Sequence, residues 1–473
     1  MVGLTFKLDR SSQTPIYIQL YEYIRNEIIS GRIEPNTKLP SIRQLADFLN
    51  VSRTTVEVAY QQLNVEGYIV SKPKAGYFVN IIENNTFGLN KINEFPSNRE
   101  KKTISTSTVE YDFRNDYIDK GSFDFRLWRK YLNKALMDNQ ERFLNYGSFQ
   151  GEYELRKEIA KYVHQSRGVK CIPEQIFIGA GVQSLLNVLC GNLKPQYNII
   201  GFEDPGFNQA RHIFKDHEFE IIPINLERDG ISIKSLWKSK AKIVYVSPSN
   251  QFPTGSVMSI NKRIQLLNWA HENNGLIIED DYDSELRYFG RPIPSLQGLD
   301  KGANVIYLGS FSKILLPAIR ISYMILPQDL CAKYMEKITK YNQTASKLEQ
   351  LALALFMEEG MLEKHIRKLR KIYARKNQLL IETINRIMHK KVKVLAKETG
   401  LHVLLELKTN HSPEKIAYLA ERVGVKVNPI SNYSISSKKS EYPLVLLSYG
   451  GIPIEHIEPA VGLLNRVWFE TNL

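Results

Sequence analysis

Cysteine is almost absent: there are three in 473 residues, Cys171, Cys190 and Cys331, widely spaced and without a CxxC pair. That pattern argues against a disulfide framework or a metal site and fits a reducing compartment. Long apolar runs are missing too, because Lys, Arg or Glu cuts each one before it reaches membrane-spanning length. The opening Met1-Val2-Gly3-Leu4-Thr5-Phe6-Lys7-Leu8-Asp9-Arg10 is too polar for a signal peptide, so the expected location is the cytoplasm, with no membrane role. Internal repeats are not evident, and the one low-complexity tract spans residues 103–108.

What is present describes a globular chain of two or three domains, with 43% hydrophobic and 24% charged residues. The net charge is +13, which suits a phosphate-rich partner as readily as a solvated basic surface. Residues 1–80 hold nine Lys/Arg against seven Asp/Glu, so any nucleic-acid contact there rests on placement rather than on bulk charge.

Thr14-Pro15 predicts a helix start with a capping hydroxyl, after which Ile16, Leu20, Ile24 and Ile28 recur every four residues. Ser41-Ile42-Arg43-Gln44 reads as a capping box on a short second helix whose inner face is Ile42, Leu45, Ala46 and Leu49. Asn50-Val51 makes a turn. Ser52 caps a third helix with Val56, Ala59, Tyr60 and Leu63 inward, leaving Arg53, Thr54, Thr55 and Glu57 outward near its start. Two β-rich runs follow, joined by Pro73-Lys74-Ala75-Gly76. This order predicts a winged helix-turn-helix, its third helix in the major groove and its wing on the backbone, with Arg43, Arg53, Lys72 and Lys74 at phosphate-contacting positions.

Residues 81–110 are rich in Asn, Ser, Thr, Lys and Glu and read as a linker. Beyond residue 111, β-rich runs alternate with helical ones, which predicts an α/β fold with a mostly parallel sheet and ligands at the strand ends. Gly179-Ala180-Gly181-Val182-Gln183 leads from a strand into a helix and can cradle an anion. Glu203-Asp204-Pro205-Gly206-Phe207 offers an aromatic ring, Ser249-Asn250-Gln251-Phe252-Pro253-Thr254-Gly255 an amide on a stiffened loop, and Glu279-Asp280-Asp281-Tyr282 acids and a phenol at a strand end. Ser310-Phe311-Ser312-Lys313 with Arg320 sets an amine beside hydroxyls and a guanidinium, the layout of a lysine that forms a Schiff base with pyridoxal 5'-phosphate (PLP).

Pro40-Ser41-Ile42-Arg43-Gln44-Leu45-Ala46 and Val51-Ser52-Arg53-Thr54-Thr55-Val56 resemble GntR-type regulators. That resemblance implies DNA contacts by Arg43, Arg53, Thr55 and Gly76. From about residue 112 onward the sequential order of motifs resembles fold-type I aminotransferases. Here the resemblance implies Lys313 as the Schiff-base lysine, Asp280 on the pyridine nitrogen, Tyr282 and Asn250 on the phenolic oxygen, and Phe207 stacked on the ring. Gly181, Val182, Ser310, Ser312 and Arg320 would hold the phosphate.

The fusion, with Arg263-Ile264-Gln265-Leu266-Leu267-Asn268-Trp269-Ala270 and Ile278-Glu279-Asp280-Asp281-Tyr282-Asp283-Ser284-Glu285, is similar to GabR-like members of the MocR branch. The expected architecture is a winged helix-turn-helix over 1–80, the linker over 81–110, and a PLP-binding aminotransferase-like domain over 111–473 with a small α+β subdomain from about 340. The resemblance implies a domain-swapped homodimer on double-stranded promoter DNA, with PLP as a sensor of a small amine or amino acid.

Two positions depart from the GabR-like pattern. Gln209 and the loop Ser431-Asn432-Tyr433 stand where carboxylate-binding arginines are expected, with Arg211 a possible substitute. An effector other than γ-aminobutyrate is therefore expected, or PLP itself as in the PdxR members. Transaminase activity is expected to be weak, an active aminotransferase with a fused DNA-binding domain being the alternative.

Overall fold

The computed structural model describes residues 9–81, 110–114, 117–288, 293–300, 304–396, 400–436 and 440–470. Almost all of the expected linker, and its low-complexity tract, lies outside them. Contacts divide the chain into two compact units, Met1–Ile104 and Ser105–Leu473.

In the first unit, α1 spans Ile16–Ile29, α2 Ile42–Leu49 and α3 Arg53–Val65. Leu20, Ile24 and Ile28 of α1 pack with Leu45, Ala46, Val56, Ala59, Tyr60 and Leu63, the faces that the four-residue spacing selects. Thr14 does not cap α1: Pro15 occupies the cap position and no side chain bonds the first turn. The capping box of α2 forms as read, Ser41 Oγ accepting from Gln44 N and Gln44 Oε1 from Ser41 N. Asn50 ends α2 in the left-handed region, and Ser52 caps α3 by accepting from Thr55 N at 3.1 Å. β1 (Ile69–Lys72) and β2 (Gly76–Val79) then form an antiparallel hairpin. Gly76 at its tip has φ +103°, a conformation open to glycine and costly for other residues.

The second unit opens with β3 (Tyr111–Asp112), followed by β4 (Ile176–Gly179), β5 (Ile199–Asp204), β6 (Glu220–Glu227), β7 (Gly230–Ile231), β8 (Ile243–Val246), β9 (Leu276–Asp281), β10 (Val305–Ser310) and β11 (Ser322–Ile325). The main sheet has the order β4-β11-β10-β9-β8-β5-β6-β7. Strands β10, β9, β8, β5 and β6 are parallel, whereas β11 runs antiparallel to both β10 and β4. Every residue of β8 and β9 is buried, as expected of parallel strands covered by helices on both faces. The sequence reading missed β6, whose mixed Glu220–Glu227 run is partly exposed near the sheet edge and lacks a clean apolar pattern.

A smaller sheet of β12 (Val392–Ala396), β13 (His402–Leu407), β15 (Asn428–Pro429) and β16 (Leu444–Ser448) has the order β12-β13-β16-β15, all antiparallel. β14 (Val425–Lys426) pairs instead with β3, so the chain's entry into this unit is tied to the small subdomain. The three cysteines are free, and burial pushes their thiols up to about 12, 12 and 11, which makes them poor nucleophiles. No helix among the described residues is long and apolar enough to cross a membrane.

Candidate functional site

A cavity of about 540 Å³ opens at the carboxyl ends of the parallel strands and is lined by Lys313, Asp280, Tyr282, Phe207, Gly181, Val182, Ser310, Ser312, Arg320 and Gln209. Residues from Arg114 to Tyr433, far apart in sequence, thus meet at one end of the sheet.

One end of the cavity gathers groups that can hold an anion. Val182 and Gln183 start the helix Val182–Leu193, whose first backbone N–H groups carry the positive end of its dipole. Arg320, in the left-handed region at φ +50°, lies across this turn and donates from Nη2 to the Ala180 carbonyl at 3.3 Å. Gly181 has a φ of +90°, a conformation that other residues adopt only with strain, and a Cβ there would displace the flexible end of Arg320. Ser310 Oγ accepts from Ser322 Oγ at 2.9 Å and from Ser312 N at 3.3 Å. The Ser312 hydroxyl is buried without a hydrogen-bond partner among the described residues, a cost that a ligand oxygen would remove. These groups suit the phosphate of PLP.

Behind the cavity floor, Asp280 accepts from the Tyr245 hydroxyl at 2.6 Å, and Tyr245 stacks on Phe202 with centroids 5.1 Å apart. Burial pushes the Asp280 carboxyl up to about 6, the Tyr245 hydrogen bond and the charge of Lys313 opposing that rise and Asp281 adding to it. A buried carboxyl of this kind gains a charge partner when a protonated heterocycle lies against it. Asp281 is already neutralised by Arg167 at 2.7 Å, so the two neighbouring acids have separate tasks. Lys313 Nζ sits 4.4 Å from the centroid of the Tyr282 ring. Glu203 is buried too and is pushed up to about 8, chiefly by desolvation.

The opposite end differs from expectation in three places. Asn250 does not line the cavity: its amide donates to Asp283 at 2.7 Å, and Phe252 of the same loop takes the lining position. Arg211 is held elsewhere, its guanidinium bonding the Tyr433 carbonyl at 2.7 Å and lying 3.7 Å from Asp204, so it is no substitute carboxylate site. Asn432 is exposed, its carbonyl accepting from Asn208, and the neighbouring Tyr433 lines the cavity instead. Asp204 fixes this loop by accepting from Ile435 N and Ser436 N, and Tyr433 meets Phe252 edge-on at 4.9 Å. Arg114, which the sequence reading overlooked, also lines the cavity. Its only signal was position, just after a short β-rich run, because nothing local marks a lone arginine as inward-facing.

On the first unit, Arg43, Arg53, Thr54, Lys72, Lys74 and Gly76 are exposed, at the starts of α2 and α3 and on the hairpin. Thr55 is half-buried, its hydroxyl 2.8 Å from Ser52 Oγ, so it serves the cap of α3. Lys72 Nζ rests 4.6 Å from the Phe78 ring centroid and Arg43 lies 4.0 Å from Asp47, both contacts weak enough to exchange for phosphate.

Residues 16–79 match the model of the bacterial regulatory proteins of the gntR family, and residues 114–441 match that of aminotransferase class I and II. The chain is 41% identical to the uncharacterized HTH-type transcriptional regulator YdeL of Bacillus subtilis, over 99% of this chain and 100% of that one. It is 30% identical to the probable rhizopine catabolism regulatory protein MocR of Rhizobium meliloti, over 98% and 95%. Among solved structures, the multiple substrate aminotransferase of Thermococcus profundus aligns with a TM-score of 0.70 and 26% identity, over 77% of this chain and 92% of that one. With a GntR-type helix-turn-helix before an aminotransferase-like unit along its whole length, the chain belongs to the MocR-type branch of the GntR family of transcriptional regulators.

Proposed function

We propose that this regulator acts in the cytoplasm as a homodimer, binds double-stranded promoter DNA through its winged helix-turn-helix, and uses PLP on Lys313 to sense a small amine, an amino acid or PLP itself. The observation that carries the reading is the meeting of an amine, a buried carboxyl and an anion cradle in one cavity of a chain that also carries a helix-turn-helix.

When bound, PLP supplies an aldehyde that condenses with primary amines and an electron-withdrawing pyridine ring. Lys313 would hold the cofactor through its own amine, the group that a ligand amine would have to replace. Asp280, oriented by Tyr245, is the group that favours a protonated ring nitrogen. Ser310, Ser312, Arg320 and the backbone at Gly181 and Val182 are the phosphate holders. Phe207, Tyr282 and Phe252 form aromatic walls that exclude water, with Phe252 edge-on to Phe207 at 6.3 Å and to Tyr282 at 6.0 Å.

Arg53, Thr54 and Lys74 are the groove-side and wing contacts to DNA, with Arg43 and Lys72 on phosphates. Regulation then requires that the ligand bind one arrangement of the protein more tightly than another.

The decisive experiment adds PLP to the purified protein, records the absorption band of a protonated imine, reduces with borohydride and maps the modified residue. A colourless protein with no adduct on Lys313 would refute the sensor reading. Sustained multiple turnover with amino donors and keto acids would replace it with the enzyme reading.

A further inference from the structure

We infer that the cavity between the 3-10 helix Ser284–Leu286 and the helix Met361–Met388 is a second ligand site, for a short zwitterion whose ammonium lies against Glu285 and Ser284 and whose carboxylate lies against Arg370 and Arg367. This goes beyond amine sensing at Lys313, because the two cavities have no lining residue in common.

Helical spacing brings the charges here. Glu363, Ile366, Arg367 and Arg370 recur at the intervals of one helical face, and all four line the cavity. A Glu four residues before an Arg commonly pairs with it. Yet among the described residues no ion pair joins Glu363 or Glu285 to Arg367 or Arg370. Two acids and two arginines thus face one space of about 260 Å³ without neutralising one another. A molecule carrying one charge of each sign answers both pairs, whereas a plain amine or a plain acid answers one.

The carboxylate of Glu285 is held by one oxygen only. Tyr162 donates to Oε1 at 2.7 Å, and Oε2 is buried with no hydrogen-bond partner among the described residues. Ser284 is 8% exposed, and its hydroxyl is likewise buried without a partner there. Buried polar atoms are normally satisfied, and an ammonium with its three donors would serve both. Burial and the charge of Asp281 raise the Glu285 pKa, the Tyr162 hydrogen bond and Arg167 opposing, so a cation placed here would favour the ionised form.

Arg370 is the preformed anion end. Its Nε donates to the Glu285 backbone carbonyl at 2.6 Å, which fixes the guanidinium and leaves the Nη1–Nη2 edge to take a carboxylate through two parallel hydrogen bonds. Both ends are therefore anchored on Glu285, one by its side chain and one by its carbonyl. The ligand's charges must then lie only a few bonds apart, as in an α- or β-amino acid. Tyr282 lines the Lys313 cavity while Ser284 and Glu285 line this one, so one short segment carries a wall of each.

The test blocks the first cavity. Full-length protein is loaded with PLP and reduced with borohydride, so that no probe can form an imine, and is titrated by calorimetry with glycine, β-alanine, n-propylamine and propionate. At least one of the two zwitterions should bind about tenfold or more tighter than either singly charged probe. Glu285→Gln and Arg367→Gln should each weaken that binding about tenfold. Arg367 is exposed and makes no hydrogen bond among the described residues, so its variant stays folded even where loss of the Glu285 charge disturbs the interior.

Failure of both zwitterions to bind the reduced protein, equal affinity for the singly charged probes, or binding that survives either substitution would overturn the assignment. If the protein takes up no PLP, the sensor reading fails by itself, and the same titration on cofactor-free protein decides this one.

Discussion

The DNA-binding unit and the cavity of the aminotransferase-like unit place their polar groups in opposite environments. In the first unit Arg43, Arg53, Thr54, Lys72 and Lys74 stand in water on elements whose ends are set by local caps at Ser41 and Ser52. In the second, Glu203, Glu279, Asp280 and Asp281 are all buried at the strand ends, three of them with pKa values raised chiefly by desolvation. The first 80 residues carry only +2 of the chain's +13. The contrast teaches that DNA recognition depends on where a few cations sit, whereas the chemistry of the cavity depends on what burial does to its acids.

The sharpest way to break this contrast is Lys313→Ala. It should abolish the imine absorption and every ligand-dependent change in DNA affinity; a retained ligand response would show that sensing does not pass through this amine. Next in size is Gly181→Ala, which places a side chain at a positive φ and pushes the guanidinium of Arg320 away from the turn. The strain is about 1–3 kcal/mol, so PLP affinity measured by equilibrium dialysis should fall about tenfold to a hundredfold.

Arg53→Ala tests the exposed side of the comparison. Promoter affinity should fall by about 1–3 kcal/mol in a mobility-shift titration, while cofactor absorption stays as in the parent. Lys74→Ala, a wing contact to the backbone, should act more weakly, lowering the slope of log affinity against log salt by about one for any DNA sequence.

A different kind of effect, on stability and not on binding, concerns Glu203. Its folded pKa, about 8, exceeds the ordinary 4.5 because burial outweighs its hydrogen bonds from Gln251 and Ser247. A carboxyl raised in this way contributes stability that is fully present below the unfolded pKa and is lost as pH rises through the folded one. Glu203→Gln stays neutral, so the melting temperature of the cofactor-free variant should draw above the parent's between about pH 4.5 and 8 and then hold level. Parallel curves across that range would mean that Glu203 is not held in its neutral form.

Much of the fold was legible because its signals are local. The four-residue spacing in α1, the Ser41–Gln44 box and the apolar runs of β8, β9 and β10 each declare themselves within one element. β6 escaped because a strand near the edge of a sheet need not be apolar throughout, and the Thr14 cap failed because Pro15 itself takes the cap position. On the site, Lys313, Asp280, Tyr282, Ser310, Ser312 and Arg320 could be picked out because strand ends and turns concentrate chemistry at readable places. Asn250, Arg211 and Asn432 could not be placed from the sequence because which way a loop residue turns is decided by partners far off in sequence: Asp283, Asp204 and Asn208.

The sequence by itself thus determined the two kinds of unit, the family and the residues from Gly181 to Arg320 that line one end of the cavity, since these follow from periodicity, caps and short motifs. Only the tertiary structure decided the ligand end. Tyr433 and Phe252 displace the expected polar groups there, and Arg114 arrives from the chain's entry strand, because long-range packing and not local pattern brings segments hundreds of residues apart to face one cavity.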